Sequence, residues 1–243
     1  MSHNYNVSLR LLDAQGRWLR QLDTQPGYGF LPSSGWPVEQ WVDDWLALAL
    51  PDVDPAAGPY PLVVQLYDVS VPETAVLTNR LGVLTYAQTG WEFAPVAPAF
   101  TLPDGVKGKV AVFGDDIALV GYQASQQEGV LTLTLYWQAL RDGQIDYTRF
   151  VHFVDLATNQ PPLAQSDSFP VYNSYPTGQW QAGEVVTDVV ALNVGQSPPG
   201  EYGLLVGFYV KGEDGVVRRV TAVDENGAPL PNDAVVLPEV ISR

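Results

Sequence analysis

The sequence predicts an all-β protein built as tandem antiparallel β-sandwiches, Ig-like or jelly-roll-like, with the first copy lacking its N-terminal strands. Three observations predict it. Short runs alternate apolar and polar residues with period two, clusters of turn residues separate those runs, and the chain repeats itself at an offset of about 142 residues. No stretch sustains a helical period.

In the first copy, Val7, Leu9 and Leu11 alternate up to the turn Asp13-Ala-Gln-Gly16. A Pro/Gly-rich turn at 52–58 then precedes a second alternating run, Leu62, Val64 and Leu66. Apolar alternation lapses after Phe93, where Pro95, Pro98 and Pro103 collect, so the domains divide as 1–96, a linker at 97–110, and 111–243. In the second copy, strands are expected at 117–125 and 130–140; Leu131, Leu133, Leu135 and Trp137 occupy one face of the latter. Arg149, Val151 and Phe153 take the places of Val7, Leu9 and Leu11, and Leu204, Val206 and Phe208 those of Leu62, Val64 and Leu66.

The repeat is legible residue by residue. Tyr5 to Asp13 lies over Tyr147 to Asp155; Asp23, Trp36 and Asp44 then fall 144 positions before Asp167, Trp180 and Asp188. The offset returns to 142 for Gly58-Pro-Tyr60 over Gly200-Glu-Tyr202. Each of these glycines can take the positive φ of a turn, and the tyrosine two residues on can bury its ring while its hydroxyl bonds backbone across the loop, in the manner of a tyrosine corner. Only four residues precede Tyr5, so the first copy has no counterpart of the two strands at 117–140. Its apolar face must then be covered by strands from a second molecule, by the intact domain, by residues 82–96, or by sequence upstream of Met1. The last is preferred, supplemented by compensating packing or a dimer through the open first repeat, because it also explains a start without signal-peptide features.

Composition narrows the chemistry. With 12 basic against 27 acidic residues the chain carries a formal charge of −15, which argues against a nucleic-acid partner. The absence of cysteine removes disulfides, thiolate metal sites and cysteine nucleophiles, and no apolar run reaches the 18 residues of a membrane-spanning helix. Histidine occurs at His3 and His152 alone, which excludes the usual zinc sites, and no Gly-x-Ser-x-Gly elbow is present. No catalytic residue, metal or cofactor is expected. The repeated carboxylates Asp13/Asp155, Asp23/Asp167 and Asp44/Asp188 read as turn formers or hydrogen-bond partners, with loop calcium and a hydrolytic pair as the alternatives.

Aromatic residues are the ligand-binding candidates: Trp36, Trp41 and Trp45 in the first copy, and Tyr172, Tyr175 and Trp180 in the second. Their rings could stack on a sugar or anchor a protein. Packing in the core or between domains is the competing reading, since Trp36 has a counterpart in Trp180 while Val185 and Val189 replace Trp41 and Trp45.

The second copy resembles a bacterial extracytoplasmic β-sandwich module found at the C-terminal end of membrane glycosyltransferases of the dolichyl-phosphate-mannose mannosyltransferase type. The resemblance rests on Phe113 to Tyr122, Leu131 to Leu140, Tyr147 to Asp155, Trp180 to Asp188 and Pro199 to Tyr209, with a shorter echo in the first copy. It implies a non-catalytic accessory region of a larger surface or membrane protein, outside the cytoplasm, with a protein or glycan partner. An autonomous carbohydrate-binding module and, behind it, a glycoside hydrolase are the alternatives.

Overall fold

A computed structural model describes residues 4–13, 16–37, 42–52, 54, 58–68, 70, 75–87, 90–106, 110–158, 161–198, 200–212 and 214–242, with backbone alone at 75–76, 87, 172 and 238–242. The chain divides into two compact units, Met1–Val96 and Ala97–Arg243. Both are all-β, and the only α-helix among the described residues is a four-residue turn, α1 (Pro170–Asn173).

The first unit is one antiparallel sheet. Its strands are β1 (Tyr5–Leu12), β2 (Trp18–Thr24), β3 (Tyr60–Asp68), β4 (Ala75–Ala87) and β5 (Gly90–Pro95), in the order β2-β1-β3-β4-β5. Val7, Leu9 and Leu11 stand opposite Leu66, Val64 and Leu62, so the two alternating runs share one face of the sheet.

The second unit is a sandwich of two five-stranded sheets. One contains β9 (Thr148–Asp155), β10 (Ala164–Ser168), β12 (Glu201–Lys211), β13 (Val217–Arg219) and β15 (Val235–Ser242). The other contains β6 (Ala111–Phe113), β7 (Ile117–Gln127), β8 (Val130–Ala139), β11 (Val185–Asn193) and β14 (Ala222–Asp224), in the order β11-β8-β7-β6-β14. Leu131, Leu133, Leu135 and Trp137 of β8 meet Val151, Phe153, Leu204, Val206 and Phe208 of the facing sheet in one core. Trp137 and Phe208 lie 4.7 Å apart, and Phe113 meets Phe208 edge-on at 5.5 Å. Burial of each such side chain stabilises the unit by roughly 1.5–3 kcal/mol.

The segment expected as a linker contributes to this second unit. The Ala99 carbonyl accepts the Val185 N–H at 2.6 Å, Val110 N–H donates to Leu119 O at 2.7 Å, and Val106 packs on Ala118, Val120 and Tyr136.

The two repeats correspond sheet by sheet. β1, β2 and β3 match β9, β10 and β12, and the 3₁₀ turn Ser33–Gly35 matches Thr177–Gln179. The sheet containing β7, β8 and β11 has no equivalent in the first unit among the described residues. The outer edge of β12 is shared by β13 and β15, because the intervening β14 crosses to pair with β6. In the first unit β4 runs along the whole of β3, from Ala75 beside Tyr67 to Leu84 beside Tyr60.

The tyrosine corner exists in both copies: the Tyr60 hydroxyl donates to Asp54 O and the Tyr202 hydroxyl to Pro198 O. The glycine's role differs from expectation. Neither Gly58 nor Gly200 has a positive φ. A Cβ at Gly58 would instead lie 3.1 Å from the Tyr60 ring, and one at Gly200 would lie 3.0 Å from the Tyr202 hydroxyl oxygen, so glycine makes room for a ring folded back over its own turn.

Candidate functional site

Each copy carries the same framework after its second strand. Ser33 Oγ accepts the Tyr5 N–H at 2.8 Å, and Thr177 Oγ1 accepts the Tyr147 N–H at 2.8 Å. The Trp36 indole N–H donates to Leu31 O at 2.9 Å, and that of Trp180 to Tyr175 O at 3.3 Å. Gly27 at φ 61° and Val171 at φ 54° both turn left-handed, and each presents its N–H to a repeated carboxylate: Gly27 to Asp44 at 3.0 Å, Val171 to Asp188 at 2.8 Å. A β-branched residue such as Val171 is strained in that region, and the buried carboxylate on its N–H compensates.

The copies then diverge. Asp188 is fully buried, and its second oxygen takes Arg149 Nε at 3.1 Å and the Trp137 indole N–H at 3.4 Å. Arg149, also buried, spends its other N–H groups on Ser166 O at 2.9 Å, Ser166 Oγ at 3.1 Å and Ser168 Oγ at 2.7 Å. The sequence showed Arg149 as a lapse in the apolar pattern. The structure makes it one half of an ion pair joining β9 to β11 across the sandwich. An Arg and an Asp, each on an inward parity, were the signal that could have found it. In the first copy Val7 replaces Arg149, no residue of these 243 aligns with Trp137, and Asp44 is exposed.

The first repeat's face is open only in part. Val7, Leu9 and Leu11 are buried, against the expectation that they would lack cover, whereas Leu62, Val64 and Leu66 are half-buried where Leu204, Val206 and Phe208 are fully buried. Residues 42–50, aligned with β11, belong to no strand. Large rings stand in solvent nearby: Phe30 is 89 % and Trp45 87 % exposed. Trp18 is exposed too, with the Arg10 guanidinium 3.9 Å from its ring centroid.

The six aromatic candidates are therefore divided. Tyr175, at 6 % exposure, and Trp180, at 2 %, are core residues whose rings present no face to a ligand. The Tyr175 hydroxyl donates instead to the buried Glu184 carboxylate at 3.0 Å. Trp36 is half-buried and Trp45 is free in solvent. Trp41 and the Tyr172 side chain lie outside the described residues, as does His3. Phe30, among the most exposed rings, is not one of the six.

The repeated carboxylates serve their own turns and strands. Asp13 accepts the Arg17 N–H at 2.9 Å, Asp155 that of Ala157 at 2.8 Å, Asp23 binds Gln21, and Asp167 meets His152 Nε2 at 3.0 Å. Among the described residues no group of three or more His, Asp or Glu is placed to hold a metal ion. One polar cluster lies at an end of the second sandwich, where Asp116 receives Arg141 Nε and, at 2.6 Å, the Tyr147 hydroxyl. Burial works to raise the Asp116 carboxyl, but hydrogen bonds from Arg141 and Tyr147 outweigh it and hold the group below its ordinary value. Burial first, then the bond to Asp116, pushes the Tyr147 hydroxyl up to about 12.

No family model matches the chain, and neither a curated protein nor a solved structure matches it.

Proposed function

We propose that this chain is a non-catalytic recognition region of a larger bacterial surface or membrane protein, acting outside the cytoplasm and engaging its partner through the first repeat. One observation carries the reading: Phe30 and Trp45 are 89 % and 87 % exposed, in the repeat whose Leu62, Val64 and Leu66 are half-buried where the second repeat has solid core. Burying a ring of this kind against a partner is worth roughly 1.5–3 kcal/mol, the scale on which interface anchors act. The extracytoplasmic location rests on the resemblance of the second repeat to modules found there.

Binding to protein and glycan partners, compared between the parent chain and Phe30→Ala and Trp45→Ala, tests the proposal. Loss of binding with unchanged folding supports it. A glycan array adds the second reading, an autonomous carbohydrate-binding module, which the same exposed ring faces favour. Saturable, sugar-specific binding abolished by Trp45→Ala would select it. Turnover of a glycoside by the purified chain, lost on Asp44→Asn or Asp188→Asn, would overturn both.

A further inference from the structure

The second repeat shows what lies over a face that the first repeat covers only in part, burying Val7, Leu9 and Leu11 but leaving Leu62, Val64 and Leu66 half-buried. There β8 runs antiparallel to β11 with Val186 beside Trp137, Asp188 beside Leu135, Val190 beside Leu133 and Leu192 beside Leu131. Through the offset of 144 residues, those four β11 positions are Val42, Asp44, Leu46 and Leu48. Val42, Leu46 and Leu48 are half-buried, while Asp43, Trp45, Ala47 and Ala49 are exposed, so the segment keeps the inward and outward parity of β11 at every position but Asp44, which is exposed. It is also held in the equivalent place, by Asp44 on the Gly27 N–H at 3.0 Å where Asp188 takes that of Val171. Yet residues 42–50 form no ladder, and the Ala47 N–H donates to the Tyr28 hydroxyl at 3.1 Å. A strand is defined by its neighbour, and this segment has the alternation and the anchor of a strand without the neighbour.

We infer that residues 42–50 are the acceptor edge for an extended polypeptide strand supplied from outside these 243 residues, which pairs with them antiparallel. The incoming strand carries apolar residues at alternate positions, as Leu131, Leu133 and Leu135 do in β8. It also brings a Trp, Arg or Lys donor beside Asp44, because the donors that complete Asp188 are Trp137, which sits on β8, and Arg149, whose place is taken by Val7. A second copy of this chain is the wrong occupant on two counts. Its own β8 is locked in a core where Leu133, Leu135 and Trp137 are fully buried, and two chains of charge −15 repel while Asp43 and Asp44 both lie in the acceptor segment. The inference deepens the proposed function by naming the kind of partner, and it rests on that reading.

The test is hydrogen exchange on the full chain, titrated with a synthetic peptide of sequence VLTLTLYWQA flanked by lysines. At a tenfold excess over its dissociation constant, exchange of the amides at 42–50 should slow by about tenfold. Leu46→Asp should abolish the effect without changing exchange in the second unit, and a peptide with Asp in place of its second and third leucines should give none. A peptide with Ala in place of its Trp should bind more weakly. As a second measurement, residues 117–146 joined ahead of Tyr5 in the same chain should protect 42–50 without added peptide. Unaltered exchange at 42–50 in both experiments overturns the inference. So does a peptide-free chain that light scattering shows to be a dimer, with 42–50 protected in step with dimerisation, since the occupant is then a second copy. If 42–50 stay unprotected while binding that depends on Phe30 and Trp45 persists, the strand inference alone falls. If glycoside turnover is found, the proposed function falls.

Discussion

Replacing Arg149 with Met would remove the cation from the middle of the second sandwich while filling most of its volume. The Asp188 carboxylate would stay fully buried, keeping the Val171 N–H and the Trp137 indole but losing its counter-charge, and Ser166 O, Ser166 Oγ and Ser168 Oγ would each lose a donor. Breaking a buried pair from one side costs about 3–5 kcal/mol. For a unit of this size that is a fall in melting temperature of roughly 6–20 °C. Asp188→Asn should cost a similar amount, since it leaves the guanidinium without an anion. The double variant Arg149→Met, Asp188→Leu removes both charges at once and leaves no uncompensated charge; the Val171 and Trp137 N–H groups and the serine oxygens still lose their partners, at about 1–3 kcal/mol for each buried group left unpaired. The loss in the double variant should therefore be clearly smaller than the sum of the two single losses. Urea unfolding gives the three values, and hydrogen exchange in β8 and β11 assigns the transition to the second unit. Single-variant losses below about 1 kcal/mol, or a double variant whose loss is the sum of the two, would refute the account of Arg149 and Asp188 as a coupled pair inside the core.

Tyr202→Ala should destabilise the second unit by about 3–5 kcal/mol and Tyr209→Ala by clearly less, because Tyr202 is buried against Phe153 at 4.6 Å while Tyr209 has the outward parity; equal melting shifts would contradict this. Trp180→Ala should cost about 3–5 kcal/mol, whereas Trp45→Ala should stay within about 0.5 kcal/mol in the same denaturation assay. Tyr147 should give an alkaline limb to stability: its folded value of about 12 lies above the ordinary 10.0, so its contribution is complete below pH 10 and disappears as pH rises toward about 12. Tyr147→Phe should remove that limb. On the acid side Asp116 is lowered, so its contribution is complete above 3.8 and is lost as pH falls through its folded value; Asp116→Asn should flatten the urea midpoint there. Gly82→Ala should weaken the first unit alone, because a Cβ would lie 2.3 Å from the Ala94 carbonyl oxygen across the β4–β5 pair.

The sequence by itself determined what local chemistry can carry. Period-two alternation placed Leu131 to Trp137 and Leu204 to Phe208 with their inward parity, and the buried faces follow it. The turn sequences fix where strands stop, and the repeat locates both tyrosine corners. Which strands share a sheet, and whether a strand forms at all, was decided by tertiary structure. Residues 42–50 carry the same alternation as 186–194, yet only the latter contain a ladder, because the hydrogen bonds of a strand belong equally to its neighbour and, among the described residues, β8 has no counterpart in the first unit. The same non-local cause buries Tyr175 and Trp180, leaves Trp45 in solvent, and turns an arginine that broke the apolar pattern into the partner of Asp188 across the sandwich. Alternation states which way a side chain points, and the sheet packed against it decides whether that direction is core or water.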